Sequence, residues 1–370
     1  MHSISLPTYD VLVQHGSIAR VGDIARTATR AHRYAVITDS NVVRTHAERV
    51  VQSLGSVGTR TFTVPAGEAS KTREAWAQLT DEMLEAGFGR DAAIVAVGGG
   101  VVGDLAGFVA ATFMRGIPYV QVPTSLIAMI DASVGGKTGV DTARGKNLVG
   151  AFHQPAAVVA DPATLDTLPI PHFRAGLAEA IKHGIIADAM YLERTLADVP
   201  SMLDPPSRRP EAMEAFIARS VEIKADIVRR DERERGRRQV LNFGHTIGHA
   251  IETVSDYSLL HGECVAIGLV YEAAIAVKTG VASSGTGRDV RRAVERIGLS
   301  TTLPQTCTTD RLVAAMRTDK KVRSGALRFA LPREIGMMAS GDGTWSVPVD
   351  ESIVRSVLTS ERPSTRETKA

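Results

Sequence analysis

Ala92-Ala93-Ile94-Val95-Ala96-Val97-Gly98-Gly99-Gly100-Val101-Val102-Gly103-Asp104 is the stretch that decides the fold. An unbroken apolar run rich in β-branched residues is what a strand covered on both faces looks like. Three glycines follow, and the pattern beyond them opens a helix. Glycines at that point let the backbone approach a pyrophosphate, whose charge sits well at a helix N-terminus. The spacing is not G-x-G-x-x-G, so the turn is either a dinucleotide loop or simply a tight turn.

The same alternation extends outward. Apolar runs recur at Val11–Val13, Ala35–Thr38, Thr61–Val64, Tyr119–Val122 and Ala157–Ala160. Several end in turn chemistry: Asp39-Ser40-Asn41, Pro65-Ala66-Gly67, Pro123-Thr124-Ser125. Short buried strands with helices between them predict a Rossmann-like α/β domain over 1–170. Beyond Pro171 helical periodicity takes over, with helices expected at 172–195, 211–232, 244–256, 262–278, 287–297 and 309–317. Pro200, Pro205 and Pro206 mark a loop between the first two. An α-helical domain is therefore expected over 171–358, and a fraying polar tail over 359–370.

Composition agrees with two domains. The chain has 370 residues, 44% of them apolar, enough to bury sizeable cores. Lys plus Arg is 43 against 41 Asp plus Glu, a net charge of +2 that points to neither nucleic acid nor membrane. Two cysteines, Cys264 and Cys307, exclude a disulfide scaffold. No signal-peptide pattern is visible, and no apolar run approaches the roughly 20 residues of a membrane helix. The most apolar stretch, from Cys264 to Val277, is broken by Glu272. A soluble cytoplasmic protein is expected.

Asp131-Ala132-Ser133-Val134-Gly135-Gly136-Lys137-Thr138 invites a Walker A reading, but Asp131 stands where that motif needs Gly. What remains is a Gly-rich segment with Lys137, Arg144, Lys146 and Asn147, suited to an anionic substrate or else a solvated basic loop. His245-Thr246-Ile247-Gly248-His249 sets two imidazoles at i and i+4, and His261 follows. Thr246 replaces the Glu of H-E-x-x-H, so metalloprotease chemistry is disfavoured while metal binding stays open. Glu179 and Lys182 lie at i and i+3, either an ion pair or a ligand beside a hydroxyl-binding group. Met213, Ile217, Val221, Lys224 and Val228 share one helix face, and a Lys on an apolar stripe must snorkel, pair or bind something. Arg238 and Asn242 sit just before the histidine helix.

Together the segments GGGVVGDLAGFVAATFMRG (98–116), VPTSLIAMIDASVGGKTGVDTARGKNLVGAFHQP (122–155), AGLAEAIKHGII (175–186), DERERGRRQVLNFGHTIGHAIE (231–252), HGECVAIG (261–268) and DKKVRSGALRFALP (319–332) resemble the 3-dehydroquinate synthase family of sugar-phosphate cyclases. The resemblance implies an N-terminal Rossmann-like NAD-binding domain and a C-terminal α-helical metal-binding domain, with the active site in the cleft. It implies bound NAD, one divalent metal (zinc or cobalt) and usually a homodimer. The implied substrate is a small sugar acid phosphate, 3-deoxy-D-arabino-heptulosonate 7-phosphate. It becomes 3-dehydroquinate and phosphate by transient oxidation at C5, β-elimination of phosphate, reduction, ring opening and aldol closure, a step of the shikimate pathway.

Residue by residue, the resemblance puts the metal ligands on Glu179, His245 and His261, and moves His249 from ligand to substrate group. NAD contacts fall on Asp39; on Ala66, Gly67, Glu68, Ala69, Ser70 and Lys71; on Gly100, Val101, Val102, Gly103 and Asp104; on Thr124 and Ser125; on Lys137 and Lys146; and on Thr164, Leu165, Asp166 and Thr167. Phosphate falls to Arg115, Lys137, Asn147, His249, Lys320 and Lys321, with Arg115 serving a neighbouring subunit's site. The carboxylate falls to Lys224 and Arg238, and the hydroxyls to Asp131, Lys182 and Asn242. Ala66, Ser125 and His183 depart from the residues common there; the first alters one NAD contact, and none removes a residue assigned to the chemistry. The nearest rivals are the other cyclases, aminodehydroquinate synthase above all. A metal-dependent polyol dehydrogenase fits the basic set poorly, and an NAD-sensing scaffold would lack the metal ligands.

Overall fold

The computed structural model describes residues 1–56, 58–143, 145–318, 326–341 and 344–361. It divides into two compact units, Met1–Phe173 with Asp204–Ala225, and Arg174–Leu203 with Asp226–Ala370.

Among the described residues the first unit has nine strands: β1 (His2–Ser5), β2 (Asp10–Val13), β3 (Arg33–Asp39), β4 (Thr59–Val64), β5 (Ala92–Gly98), β6 (Tyr119–Pro123), β7 (Lys137–Thr142), β8 (Gly145–Phe152) and β9 (Ala157–Ala160). Seven of them form one sheet in the order β1-β2-β9-β6-β5-β3-β4. All its pairings are parallel except that of β1 with β2. Helices α1 (Val21–Thr29), α2 (Glu48–Leu54), α3 (Arg73–Glu85) and α4 (Gly100–Thr112) cover it. The run that decides the fold alternates between two cores. Ala92, Ile94 and Ala96 join Leu79, Met83, Leu105 and Val109, while Ala93, Val95 and Val97 join Val21, Ala25, Val50 and Leu54. A strand buried on both faces has no polar side to show, hence the continuous apolar string. β4 and β5 lie on opposite sides of β3, so the strand order reverses there. The crevice at such a reversal is where open α/β sheets bind ligands. Asp39 and Gly98 end the two strands that flank it.

Two features differ from the sequence expectation. The edge strand β1 is too short and polar to register as an apolar run. The Gly-rich basic segment, read as suited to an anionic substrate or else as a solvated loop, is the antiparallel hairpin β7–β8. Its glycines permit close packing that a side chain would prevent. A Cβ at Gly150 would lie 2.1 Å from the Thr138 carbonyl oxygen, and one at Gly107 of α4 would lie 2.5 Å from Thr138 Cγ2.

The second unit draws on α5 (Ile170–Ala187), α6 (Ala189–Leu203), α7 (Pro210–Arg230), α8 (His245–Val254), α9 (His261–Lys278), α10 (Ser284–Arg296), α11 (Thr309–Thr318) and α12 (Glu351–Ser360). It also holds the short strand pair Leu327–Phe329 with Val347–Val349. The helix expected over 172–195 is broken at Asp188, whose carboxylate accepts the Tyr191 N–H at 2.9 Å and starts a new helix. The expected loop at 200–206 begins only after Leu203, because α6 continues through Pro200. The carbonyl that Pro200 cannot serve, that of Leu196, accepts the Arg296 Nε–H at 3.2 Å instead.

A single boundary at 170 does not describe the division, because Asp204–Ala225 belongs with the first unit. Glu214 accepts the Met1 ammonium and the His15 N–H, each at 2.8 Å. Arg208 donates to the Leu165 carbonyl at 2.7 Å. Of the expected tail over 359–370, residues up to Ser360 close α12 and 362–370 lie outside the described residues.

Candidate active site

Three ligand-type side chains meet in the second unit. Glu179 on α5 is fully buried, and its Oε1 lies 3.4 Å from His245 Nε2 and 3.5 Å from His261 Nε2. Their donor atoms all fall within 4.8 Å of one another. The other Glu179 oxygen is ion-paired with Lys182, also buried, so the i, i+3 pair of the sequence is real and sits beside the imidazoles. His261 is the open side, its side chain one-third exposed.

Outer partners fix both rings. His245 Nδ1 donates to the Phe243 carbonyl at 3.1 Å, and His261 Nδ1 faces Glu252 Oε1 at 2.9 Å. With Nδ1 carrying a proton, each ring in its neutral form offers the Nε2 lone pair to the common centre. Burial, and then the charge of Lys182, push His245 well below its usual pKa, so it is a neutral donor. Burial works against charge on His261 too, but hydrogen bonds to Glu179 and Glu252 raise it to about 10. Two carboxylates thus draw positive charge to this point, the demand a divalent cation meets. Two imidazole donors, His261 giving up its extra proton to the incoming ion, and one carboxylate with an open side suit zinc or cobalt. His249, Glu252 and His261 also bring one donor atom each within 4.8 Å. In that set Glu252 is already hydrogen-bonded to His261 Nδ1, whereas Glu179 faces the Nε2 of both His245 and His261.

Local packing brings these three side chains together. His245 opens α8 and His261 opens α9. A Cβ at Gly262 would lie 2.0 Å from the Ala175 carbonyl oxygen of α5, and one at Gly268 would lie 1.9 Å from the Gly244 carbonyl oxygen. Glycine alone allows those approaches. His249 lies one turn beyond His245, with ring centroids 5.3 Å apart. Arg238 is buried and donates to the Glu232 carbonyl. Asp231 holds the loop by accepting the N–H groups of Arg235, Gly236 and Arg238 at 3.0, 2.7 and 3.0 Å. Asn242 donates to Glu234 at 2.6 Å.

The first unit gathers the other predicted residues. The glycine turn after β5 begins α4 at Gly99, which has no side chain to cap the helix, so its first N–H groups suit an anion. Gly103 lies against Gln121, where a Cβ would come within 3.0 Å of Oε1. Lys71, buried, pairs with Asp104 at 2.6 Å. Burial opposes its charge, but Asp104 and Glu68 outweigh it and raise its pKa. Lys146 reaches Glu68 at 3.6 Å. Asp39 accepts the Asn41 N–H at 2.8 Å at the end of β3. Ala66, Gly67, Ala69 and Ser70 follow β4, and Thr124 and Ser125 follow β6. Val101 and Val102 lie in the first turn of α4. Thr164, Leu165, Asp166 and Thr167 form a 3-10 turn. There the hydroxyls serve the chain itself: Thr164 donates to the Asp161 carbonyl and Thr167 to that of Thr164. Lys224, the lysine on an apolar stripe, pairs with Asp131 Oδ1 at 2.8 Å. Lys137 and Asn147 lie on the β7–β8 hairpin, Asn147 with φ +54° and its N–H on Asp141 at 2.8 Å. Arg115 is exposed on a turn where Met114 and Arg115 both have positive φ, a strained pair for non-glycine residues. Arg144, Lys320 and Lys321 lie outside the described residues.

Sequence reasoning passed over Glu252, Glu272, Asp141 and Asp231. Glu252 was visible as the residue three past His249 on the same helix face. Glu272 was visible as a charge inside an apolar helix, which must find partners.

The chain matches two family models, "3-dehydroquinate synthase N-terminal" over residues 61–175 and "3-dehydroquinate synthase C-terminal" over 176–322. It is 41% identical over 365 residues to the 3-dehydroquinate synthase of Rippkaea orientalis, covering 96% of this chain and 97% of that one. Its fold matches 2-deoxy-scyllo-inosose synthase complexed with carbaglucose-6-phosphate, NAD+ and Co2+, with TM-score 0.88, 27% identity and coverage of 96% and 99%. It also matches 2-epi-5-epi-valiolone synthase from Streptomyces hygroscopicus subsp. jinggangensis 5008 with NAD+ and Zn2+ bound, with TM-score 0.84, 28% identity and coverage of 97% and 98%.

Proposed function

The chain belongs to the 3-dehydroquinate synthase family, and from that premise we infer that it converts 3-deoxy-D-arabino-heptulosonate 7-phosphate to 3-dehydroquinate and phosphate, with NAD and a divalent metal ion as cofactors. The observation that carries this is the Glu179–His245–His261 donor set, with both imidazoles held in the tautomer that points Nε2 at the carboxylate. When bound, the ion supplies Lewis acidity toward a substrate oxygen and NAD supplies a hydride acceptor.

The chain's own residues bind and orient. Lys224 and Arg238 take the substrate carboxylate; both are buried cations, which makes each ionic contact stronger than in water. Asp131, Lys182 and Asn242 take hydroxyls. Arg115, Lys137, Asn147 and His249, with Lys320 and Lys321, take the phosphate. Gly100 to Asp104, Asp39, Ala66 to Lys71, Thr124, Ser125, Lys137, Lys146 and Thr164 to Thr167 hold NAD. Holding both anionic ends of a flexible sugar acid removes unproductive conformers before reaction. The net reaction is redox-neutral, a carbon–oxygen lyase reaction acting on a phosphate.

A homodimer in the cytoplasm belongs to the same proposal, with Arg115 serving the neighbouring subunit's site. No helix among the described residues is long and apolar enough to cross a membrane. Light scattering on the purified protein tests the dimer, and a monomer at micromolar concentration refutes it.

The deciding experiment is a product assay with the heptulosonate phosphate, zinc and catalytic NAD. One phosphate per substrate, 3-dehydroquinate by mass and NMR, and no accumulating NADH are expected. Accumulating NADH or a different carbocycle overturns the assignment.

A further inference from the structure

Two buried carboxylates that the reaction does not use connect the ligand-bearing helices in opposite directions. Glu252, on α8, meets His261 Nδ1 at the start of α9, at 2.9 Å. Glu272, on α9, reaches the start of α8, where its Oε2 accepts the Gly244 N–H at 2.7 Å and its Oε1 accepts the Ile247 N–H at 2.9 Å. Those two N–H groups flank His245. Glu272 is fully buried and Glu252 nearly so.

The N-terminus of α8 explains why a carboxylate comes from elsewhere. Its cap position is Gly244, in the left-handed region at φ +80°. A glycine there has no side-chain oxygen to offer the first-turn donors, which otherwise stay unsatisfied inside the protein. The Gly244–Gly268 approach brings α9 near enough for Glu272 to take that role, and its negative charge lies at the positive end of the helix.

We propose that Glu252 and Glu272 are positioning residues forming a reciprocal brace, in which each helix supplies the carboxylate that aims the other helix's metal-binding imidazole. Glu252 fixes the ring angle and tautomer of His261. Glu272 fixes the backbone turn from which His245 projects. The brace deepens the metal-site assignment under Proposed function and rests on it.

The test is calorimetric titration of Zn2+ into the metal-stripped full chain, with the visible absorption of the Co2+-loaded protein and thermal unfolding of the metal-free form read alongside. Glu252→Gln keeps the shape and removes the charge. It is expected to weaken Zn2+ by about 10–100-fold and alter the Co2+ spectrum, with little change in metal-free unfolding. Glu272→Gln turns an amide NH2 toward one of the two N–H groups, and is expected to weaken Zn2+ as well as lower the metal-free unfolding temperature. His245→Ala is the control for the ligand set. If His245→Ala abolishes binding while Glu252→Gln and Glu272→Gln bind within twofold of the parent, the brace is refuted and the ligand set stands. If the parent chain binds no Zn2+, both fall. A Glu272→Gln chain that fails to fold, or folds with the parent's affinity, removes Glu272 from the brace.

Discussion

Gly262 and Ala175 are in backbone contact: a Cβ on Gly262 would sit 2.0 Å from the Ala175 carbonyl oxygen. His261 precedes that glycine, and Glu179 lies one turn beyond that alanine. The contact therefore sets the distance between two of the three proposed ligand side chains. Gly262→Ala must push α9 off α5. A loss of about 2–3 kcal/mol of stability is expected from overpacking against rigid backbone, together with weakened Zn2+ binding. Urea unfolding and zinc titration check this, and parental values for both would show that the contact is soft.

Removing the proposed ligands is expected to have unequal consequences. His261→Ala is expected to lose metal and activity together with the fold retained, since its side chain is partly exposed. Glu179→Gln also breaks the buried Glu179–Lys182 ion pair, and breaking a buried pair costs about 3–5 kcal/mol. Metal analysis with circular dichroism on each variant separates the two effects. Full metal content in folded, active His261→Ala would reject His261 as a ligand.

Lys224→Ala removes one charge from the Lys224–Asp131 pair. A charge-assisted contact to the substrate carboxylate is worth about 1.5–3 kcal/mol, so substrate affinity is expected to fall at least tenfold while NAD affinity changes little. Separate titrations of the two ligands decide it. Equal losses would mean that Lys224 supports the first unit as a whole.

Arg296→Ala takes away the donor to the carbonyl that Pro200 leaves unserved. The cost is expected to be about 0.5–1 kcal/mol, because the site is exposed enough for water to substitute. In a Pro200→Ala background the cost is expected to vanish, since residue 200 then has an N–H of its own. A double-mutant cycle in urea measures the coupling, and strictly additive effects would dismiss the compensation.

Asp141 predicts a pH dependence. Burial raises its carboxyl to about 6, against the lowering effects of the Asn147 N–H and Lys71, and Glu68 raises it further. The unfolded chain releases that proton near its ordinary value of about 3.9. Between those values the native state holds more protons than the unfolded state, so this group makes stability fall as pH rises from about 4 to about 6 and leaves it flat above. Half exposure limits the effect to about 1 kcal/mol. Asp141→Asn is expected to flatten that interval in unfolding midpoints taken at each pH, and an unchanged slope would remove Asp141 as its source.

The strands of the first unit were legible because burial on both faces leaves only one kind of residue to use, as in Ala92–Val97. The hairpin carrying Lys137, Lys146 and Asn147 was not. Its glycines look like a loop until Thr138 is seen packed against Gly107. The helix break at Asp188 was missed because the apolar period passes through it unchanged.

Residue chemistry and spacing alone established the α/β-then-α order, a dinucleotide-compatible turn at Gly98–Gly100 and a histidine-rich helix start. Family likeness, carried by long ordered segments, singled out Glu179, His245 and His261 as the proposed ligands. The tertiary structure decided which nitrogen of each imidazole is committed, that Lys182 shares Glu179 with both histidines, and that Glu272 caps a helix begun by glycine. The reason is physical. Periodicity along a chain reports which face is buried, whereas hydrogen-bond partners dozens of residues apart are set by how closely backbones approach, and here that closeness depends on glycines whose neighbours in space the sequence does not name.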